Sequence, residues 1–283
     1  MGVALLTKNI SNRIDKKFRD LKEKKDNALI CYVVAGYPDI RTSENIIVAL
    51  IEGGADMIEI GIPFSDPIAD GNTIQEAIHQ SLLSGITPEQ CLELSQRIRN
   101  KFPDVPLIIM TYSNILFRIG YEEFLRRAKV KGIDGCILPD IPFEESEEYV
   151  TAAKKTGIAT IFLTAPNTEE KRLKDINEIC SGFLYVVSVF GITGERKKFD
   201  RYTYDVIKKV KKITKNKIPI AAGFGISKPE HVRNMLQAGA DAVIVGSAII
   251  RKIKETENKK KLPSILRDFT IDMKNACREI TGK

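Results

Sequence analysis

Eight short apolar segments recur along the chain, each separated from the next by a longer segment in which apolar residues have helical spacing. The apolar segments are continuous and rich in isoleucine and valine, with little alternation between apolar and polar residues. This pattern is typical of strands that are buried on both faces of a parallel sheet. We predict strands over residues 29–35, 57–61, 107–112, 135–138, 160–164, 183–188, 219–223 and 242–246.

Helices are predicted between these strands. One begins at Pro88, where Thr87 is a favourable N-cap residue, and several end at glycines that lead directly into the next strand, as in helix C-caps. The glycines are Gly53-Gly54, Gly132, Gly157 and Gly239. The predicted helices are centred on residues 46–51 or cover residues 88–99, 121–131, 144–156, 169–180, 204–213 and 229–238. An amphipathic helix over residues 9–25 precedes the first strand.

The eightfold alternation of strand and helix favours a closed (β/α)₈ TIM barrel, and a doubly wound open sheet is the alternative. The chain has no linker, low-complexity tract or shift of composition. We therefore predict one α/β barrel domain over residues 1–283 with an extra N-terminal helix. In both folds, ligands bind at the carboxyl ends of the strands, so candidate functional residues are expected there.

The composition fits a soluble globular protein, because 43% of the 283 residues are hydrophobic and 29% are charged. The net charge of +7 is compatible with a nucleic acid or with a small anionic ligand. Much of the charge lies in lysine runs of the kind that form solvated surfaces. The scarcity of interleaved aromatic residues and the lack of an arginine-rich stripe argue against a nucleic-acid partner. A small phosphorylated substrate fits the charge equally well.

Five cysteines are scattered along the chain without a CxxC pair, which indicates reduced thiols rather than disulfide bonds or a zinc site. The two histidines, His79 and His231, are far apart in helical segments, and we interpret them as packing or surface residues and predict no metal. No apolar stretch is long enough to span a membrane, and the N-terminus lacks a secretory pattern. We therefore expect a cytoplasmic protein.

A carboxylate interrupts the second predicted strand at Glu59. Burial of a charged group in an apolar strand is costly, so this position needs an explanation. One explanation is a structural ion pair. The other is catalysis, which the location at the carboxyl end of a barrel strand favours. An apolar setting would raise the pKa of this carboxyl and make it a proton donor near neutral pH.

The segment after this strand, residues 64–71, contains two aspartates, one proline and a glycine, and a second proline, Pro63, directly precedes it. This composition indicates a shaped turn rather than a random linker. Asp70 is a candidate functional residue in the turn, and a structural turn or capping role is the equally weighted alternative. Thr73 is the predicted cap of a helix that starts near Ile74.

Glycine-rich turns follow the seventh and eighth predicted strands at Gly223-Phe224-Gly225 and Gly246-Ser247. Such turns let backbone N–H groups approach an anion next to a helix N-terminus, and barrels often bind phosphate between these two loops. We therefore predict a phosphate site there. The charged, glycine-containing residues 191–198 are interpreted as a mobile lid, with an ordinary exposed loop as the alternative.

Together these motifs resemble the tryptophan synthase alpha family. The central match is IEIGIPFSDPIADG at residues 58–71, with further matches at residues 36–38, 112–114, 139–142, 191–194, 223–227 and 246–249. The resemblance spans nearly the whole chain in the same order. It implies a TIM barrel that cleaves indole-3-glycerol phosphate into indole and glyceraldehyde 3-phosphate, a carbon–carbon lyase reaction of tryptophan biosynthesis. Val189-Phe190 and Thr111 depart from many relatives, which bears on the lid and the pocket rather than on the reaction.

The resemblance also implies roles for individual residues. Glu59 and Asp70 correspond to the catalytic carboxylates, and Tyr185 corresponds to an active-site tyrosine. Thr193 corresponds to a threonine in a lid loop that lies near Asp70 when the loop closes. The residues expected at the substrate phosphate are Gly194, Gly225, Gly246 and Ser247.

The implied reaction breaks the bond between indole C3 and a carbinol carbon. Protonation of C3 turns the ring into an electron sink, and Glu59 is the candidate acid. Asp70 is the candidate for stabilising the positive charge at the ring nitrogen. Three residues at strand ends, Tyr32, Met110 and Ile161, are expected to stack on the indole. The reaction needs no metal or organic cofactor.

The resemblance further implies a complex with a pyridoxal phosphate-dependent beta subunit, an α₂β₂ heterotetramer in which indole passes directly between the active sites. The barrel mouth is expected to face that subunit with Pro63, Asp66, Asn114, Asp140 and Pro142. One alternative is a sugar-phosphate isomerase or epimerase barrel, which the motif at residues 58–71 does not serve. A non-catalytic activating subunit would lack one of the two carboxylates. A stand-alone indole-3-glycerol phosphate lyase would share the same active site and stays open.

Overall fold

Nine parallel strands form one sheet in the computed structural model, which describes residues 12–187, 201–223 and 225–278. The strands are β1 (Ala28–Val34), β2 (Met57–Gly61), β3 (Leu107–Met110), β4 (Gly135–Ile137), β5 (Ala159–Ile161), β6 (Leu163–Thr164), β7 (Leu184–Val187), β8 (Ile220–Gly223) and β9 (Ala242–Val245). Their order in the sheet is β5-β4-β3-β2-β1-β9-β8-β7-β6. The strand residues are mostly buried, as the continuous apolar runs predict.

The two ends of this sheet are consecutive in the chain. The single strand predicted over residues 160–164 is instead two short strands, β5 and β6, separated by Phe162. β5 pairs with β4, and β6 pairs with β7. The carbonyl of Phe162 accepts a hydrogen bond of 2.9 Å from the backbone N–H of Tyr185 in β7. One interrupted strand therefore joins both edges of the sheet, so the closed barrel is confirmed and the open sheet is excluded.

Helices surround the strands, in the predicted alternation. Among the described residues they are α1 (Arg13–Glu23), α2 (Ile40–Glu52), α3 (Asn72–Leu83), α4 (Pro88–Lys101), α5 (Ser113–Ile119), α6 (Tyr121–Val130), α7 (Glu147–Thr156), α8 (Glu170–Ile179), α9 (Arg201–Thr214), α10 (Pro229–Gln237), α11 (Ser247–Glu255) and α12 (Leu262–Arg278). In this part of the chain, no helix is both long enough and apolar enough to cross a membrane.

The predicted helix ends are mostly confirmed. Thr87 caps α4 through a capping box with Gln90. Glycines after four helices have positive φ angles, which glycine adopts without the steric penalty of other residues. These are Gly54, Gly132, Gly157 and Gly239, with φ of 100, 89, 69 and 107°.

Two predicted helix starts are wrong. α3 begins at Asn72, and its N-cap is Gly71, which has no side chain to offer. Thr73 therefore lies inside the first turn and is not the cap. α7 begins at Glu147, later than predicted, because Phe143–Glu145 form a separate 3₁₀ turn.

The predicted N-terminal helix is present as α1, and it lies across the amino-terminal end of the barrel. Its Ile14 is fully buried in the apolar cluster that fills the barrel interior. A Cβ built on Gly135, at the start of β4, would lie only 2.8 Å from Ile14 Cδ1. Asn12 caps α1 by accepting a hydrogen bond from Ile14 N. The helix thus closes the end of the barrel opposite the carboxyl ends of the strands.

Every second strand of the barrel is bonded to its neighbour at the amino-terminal end by a pair of hydrogen bonds. In each contact, a residue that precedes the next strand donates its backbone N–H to a carbonyl of the earlier strand. Its side-chain oxygen accepts the N–H of that same earlier residue, at 2.8–3.0 Å. The four pairs are Leu29–Asp56, Leu107–Asp134, Thr160–Ser181 and Ile220–Asp241. The repetition shows that these side chains set the register of neighbouring strands.

Three of these four acceptors are aspartates, and Asp134 shows how such a carboxylate is tolerated. It is 1% exposed and accepts hydrogen bonds from Leu107 N at 3.0 Å, Arg99 at 2.7 Å and Arg13 at 2.9 Å. Two cations from two helices therefore compensate one buried charge. Removal of one partner from such a group leaves an uncompensated buried charge.

A buried lysine performs the same compensation for Asp56. Lys274 of α12 is 3% exposed, and its ammonium donates to the Asn27 carbonyl and the Asp56 carboxylate, both at 2.8 Å. It also pairs with Asp26 at 2.9 Å. α12 is therefore bonded to the beginning of the barrel and completes its base.

We expect Asp134→Asn to lower the free energy of unfolding by about 3 kcal/mol, because it leaves the Arg99 and Arg13 charges without their buried partner. Urea unfolding followed by far-UV circular dichroism measures the change. Glu123→Gln is the matched control, because Glu123 also pairs with two arginines, Arg126 and Arg127, but at an exposed site. The control should unfold at nearly the wild-type urea concentration. Equal destabilisation by both variants would contradict the prediction.

Candidate active site

Glu59 lies inside the barrel on β2, between Tyr32 of β1 and Ile108 of β3 in the strand register. It is 0% exposed, and neither carboxyl oxygen has a hydrogen-bond partner among the described residues. Burial, and secondly the nearby charge of Asp70, raise the pKa of Glu59 from 4.5 to about 8. The structural ion pair is therefore excluded among these residues, and a pKa of about 8 keeps Glu59 mostly protonated at neutral pH.

Asp70 lies on the loop after β2 and is also buried. Its Oδ2 accepts a hydrogen bond of 2.7 Å from the hydroxyl of Tyr112. Burial raises the pKa of Asp70 to about 6, and the hydrogen bond from Tyr112 opposes this rise. At neutral pH this carboxyl is mostly ionised, so the two neighbouring carboxyls differ in protonation.

The loop that carries Asp70 is fixed by two side chains. The amide of Gln75 in α3 donates to the carbonyls of Pro67 at 3.2 Å and Asp70 at 2.8 Å. The hydroxyl of Tyr112 accepts from Ala69 N at 3.0 Å. The side chain of Asp70 does not cap α3, so the capping alternative for this residue is wrong, and its catalytic role stays a prediction.

Two further tyrosines occupy the same end of the barrel, and neighbouring glycines make room for them. A Cβ on Gly61 would meet the hydroxyl of Tyr32, and a Cβ on Gly223 would meet the ring of Tyr185. The negative charges of Asp70 and Glu59 both contribute to raising the pKa of Tyr32 and of Tyr185, after burial, which is the larger cause. Both phenols therefore stay protonated and border the pair of carboxyls.

The predicted phosphate residues lie at the ends of β8 and β9. Gly225 has a φ of 70°, a conformation that favours glycine. Gly246 is the N-cap of α11, with no side chain to satisfy the first turn, and the buried Ser247 is the first residue of that helix. The backbone N–H groups of a helix start need partners and attract anions. Tyr32 packs beside Gly246, so this helix start lies near the carboxyl pair.

The remaining predicted site residues have different outcomes. Thr193 and Gly194, with the whole predicted lid at residues 191–198, lie outside the described residues. Met110 ends β3 and is half-buried, next to the barrel interior. Ile161 is 1% exposed, and its Cδ1 lies near the start of β4, where Gly135 also meets Ile14. Ile161 thus fills the interior toward the base, and its contact with a ligand stays a prediction.

The sequence analysis missed Tyr112 as a site residue, although it is the hydrogen-bond partner of Asp70. The signal was available, since the residue ends the third predicted strand and opens the motif at residues 112–114. The next residue, Ser113, donates from both its N–H and its hydroxyl to Asp140, at 2.7–3.1 Å. Tyr112 and Ser113, which follow β3, therefore link this part of the chain to the loop after β2 and to the loop after β4.

The arrangement as a whole combines a neutral carboxylic acid, an ionised carboxylate and a helix start suited to an anion. Such pairs of carboxyls with separated pKa values serve as acid and base in one reaction. Among the described residues, no group of three histidine, cysteine or carboxylate side chains could hold a metal ion. The site therefore fits proton-transfer chemistry on a small anionic substrate.

Comparison with known proteins identifies the family. The sequence model of the family described as "Tryptophan synthase alpha chain" matches residues 18–278. The chain belongs to the tryptophan synthase alpha chain family.

Individual members of the tryptophan synthase alpha chain family agree over nearly the whole length. The tryptophan synthase alpha chain of Methanocaldococcus jannaschii is 46% identical over 243 residues, which cover 86% of this chain and 85% of that one. The crystal structure of the alpha chain from Legionella pneumophila has a TM-score of 0.87 at 32% identity and covers 96% of this chain and 99% of that one. A chain in the tryptophan synthase complex of Pyrococcus furiosus has a TM-score of 0.81 at 38% identity, with 88% and 98% covered.

We expect Glu59→Gln to stabilise this family member increasingly as pH rises from about 5 to about 8. The pKa of Glu59 is higher in the folded protein than in the unfolded chain. As pH rises between these two values, Glu59 ionises in the unfolded chain but stays protonated in the folded protein, so the wild type becomes less stable. The difference in free energy of unfolding should grow by roughly 1.4 kcal/mol per pH unit within that window. Urea unfolding of both proteins across this pH range measures it. A difference independent of pH would show that Glu59 is ionised in the folded protein.

Proposed function

We propose that this chain catalyses the retro-aldol cleavage of indole-3-glycerol phosphate into indole and glyceraldehyde 3-phosphate, a lyase step of tryptophan biosynthesis. Membership of the tryptophan synthase alpha chain family supports this reaction. The observation that carries the proposal is the unlike pair of buried carboxyls, Glu59 and Asp70, beside a helix start suited to phosphate.

Glu59 is the proposed general acid. Indole C3 is a poor carbanion leaving group, but protonation at C3 produces an indoleninium ion that accepts the electrons of the breaking bond. A carboxylic acid that is still protonated at neutral pH can donate this proton. The strand position and the apolar surroundings of Glu59 provide a rigid carboxyl with a pKa of about 8.

The same carboxyl completes the proton balance. After donation, Glu59 is a carboxylate and can accept the proton of the C3′ hydroxyl while the C3–C3′ bond breaks. The bond electrons return to the indoleninium ring, which becomes neutral indole, and the hydroxyl carbon becomes the aldehyde of glyceraldehyde 3-phosphate. Glu59 ends in its original protonated form, so one residue serves as acid and then as base.

Asp70 is the proposed electrostatic partner of the ring nitrogen. The positive charge of the indoleninium ion is concentrated at N1, and an ionised carboxylate that accepts the N1–H stabilises it. The pKa of Asp70, about 6, keeps this carboxyl mostly ionised at the pH where Glu59 is mostly protonated. A bell-shaped dependence of the rate on pH is therefore expected between these two values.

The substrate is proposed to be anchored at its phosphate and held by side chains at the strand ends. Backbone N–H groups at Gly225, Gly246 and Ser247 support a phosphate site, and Gly194 is included on the family resemblance. Remote binding energy of this kind aligns the reacting carbon. Tyr185 borders the carboxyl pair, and the proposed lid residue is Thr193. The proposed indole contacts are Tyr32, Met110 and Ile161.

A pyridoxal phosphate-dependent beta subunit is the proposed partner, in an α₂β₂ complex. The similar chain from Pyrococcus furiosus was solved in a tryptophan synthase complex. On this chain, Ile68 in the loop after β2 is 76% exposed, and Phe117 in α5, the helix after β3, is 74% exposed. Large apolar side chains at one face favour a protein contact. Pro63, expected at the interface, is buried within this chain, so Asp66 and Asn114 are the better exposed candidates.

The cytoplasm is the proposed location. The five cysteines are free thiols, and four of them are buried, which fits a reducing compartment. Cell fractionation followed by detection of the protein in each fraction is the direct measurement of its location.

We expect Glu59→Gln to abolish cleavage nearly completely, because general acid–base catalysis contributes roughly 10²–10⁴-fold and this residue acts twice. Asp70→Asn should also reduce cleavage steeply, since a neutral amide cannot offset the indoleninium charge. Single-turnover release of indole measures both, and affinity for the substrate, measured separately, should be retained. Glu44→Gln, on the barrel exterior, is the control. Retention of more than about a tenth of wild-type turnover in Glu59→Gln would exclude Glu59 as the proton donor.

Addition of a cognate beta subunit should raise the rate of cleavage, because contact at the barrel mouth is expected to hold Asp70 and the proposed lid at Thr193 in their catalytic positions. Size-exclusion chromatography and steady-state indole release, with and without the beta subunit, measure binding and activation. Phe117→Ser should weaken the complex and leave the activity of the isolated chain unchanged. No complex and no activation would favour the stand-alone lyase.

A further inference from the structure

The hydroxyl of Tyr112 makes two hydrogen bonds to neighbouring residues of one loop. It accepts from the backbone N–H of Ala69 at 3.0 Å and donates to Asp70 Oδ2 at 2.7 Å. One hydroxyl therefore fixes both the backbone before Asp70 and the direction of its carboxylate. The bond to the carboxylate is of the charge-assisted kind, which is stronger than a neutral one.

Tyr112 is itself held by contacts that do not depend on this loop's aspartate. It is 3% exposed, and its ring stacks on Phe64 with centroids 5.2 Å apart and an interplanar angle of 26°. The adjacent Ser113 is bonded by its N–H and its hydroxyl to Asp140. The hydroxyl is thus carried by a rigid support at the end of β3.

We propose that Tyr112 is the positioning residue for Asp70: its hydroxyl holds the carboxylate ionised and directed at the substrate, from a support anchored by Ser113 and Asp140. This inference rests on the proposed role of Asp70 in stabilising the indoleninium charge. It adds a residue whose contribution passes through Asp70 and not through contact with the reacting bond.

The groups around Asp70 make its protonation state depend on the hydrogen bond from Tyr112. Among the residues that the structure describes, the titratable groups that face Asp70 are Glu59 from β2, Tyr32 from β1, Tyr185 from β7 and Tyr112 itself. None of these groups is a cation, and burial favours the neutral form of Asp70. The hydroxyl of Tyr112 favours the ionised form and lowers the pKa of Asp70 toward 6. Without it, the carboxyl would be protonated over more of the neutral range.

Tyr112→Phe removes the hydroxyl and keeps the ring that stacks on Phe64. The acid limb of the pH–rate profile should move upward by about one unit, because loss of a hydrogen bond to a charged acceptor raises its pKa by that order. Single-turnover cleavage should therefore fall about fivefold near pH 6 and little near pH 8. The alkaline limb, set by Glu59, should stay in place. A residue with only a structural role would lower the rate equally at every pH.

Two further variants isolate the hydroxyl. Tyr149→Phe is the matched control, because Tyr149 also loses a buried hydroxyl hydrogen bond, to the carbonyl of Cys136 at 2.7 Å, away from the site. Its profile should match the wild type. Ser113→Ala weakens the support of Tyr112 and should move the acid limb in the same direction by less. This second variant keeps the test open if Tyr112→Phe folds poorly.

The outcomes separate the inference from the proposed function. If Asp70→Asn loses cleavage but neither Tyr112→Phe nor Ser113→Ala moves the acid limb, the positioning role is overturned and the function of Asp70 stands. If Asp70→Asn keeps wild-type cleavage, the proposed function of Asp70 itself is overturned. Carbon-13 NMR titration of the Asp70 carboxyl in both proteins gives the shift directly, without substrate. Equal titration curves in wild type and Tyr112→Phe would also overturn the inference.

Discussion

The site depends on one constraint, the burial of the Glu59 carboxyl in a strand of the barrel without a hydrogen-bond partner among the described residues. A buried polar group without a partner lowers the free energy of unfolding, so packing in the surrounding barrel must offset this loss. The strand on each side of β2 is pinned by an aspartate at its amino-terminal end. Rigid strands prevent the carboxyl from turning outward toward water, and this confinement keeps the acid neutral.

The second carboxyl obtains the opposite protonation state through a different kind of support. Glu59 is positioned by a strand and by apolar surroundings, whereas Asp70 is positioned by a loop and by polar contacts from Tyr112 and Gln75. Two like groups in one cavity thus acquire separate roles because their local environments differ. The loop location also leaves Asp70 able to respond to whatever binds at the barrel mouth, while the acid stays fixed.

The apolar runs were sufficient to predict the strands, because burial on both faces is encoded locally in each segment. The eightfold alternation favoured a closed barrel, but only the pairing of the two sheet edges excluded the open sheet. The break at Phe162 was not predictable, since it depends on where two distant edges meet. Asp70 stayed ambiguous in the sequence because its hydrogen-bond partner, Tyr112, is 42 residues away. Asp134 and Asp241 were visible after their helix-ending glycines, yet only the tertiary structure reveals that their carboxylates bond the preceding strand.

The buried ammonium of Lys274 has a consequence for the order in which this protein can be completed. Its partner Asp56 precedes it by 218 residues, and Asp26 lies earlier still. During synthesis from the amino terminus, both carboxylates leave the ribosome long before the cation that neutralises them. A nascent chain can pair its early strands but must keep this corner of the base hydrated until α12 arrives. The charges of Asp26 and Asp56 are therefore neutralised by this lysine only after α12 has been synthesised.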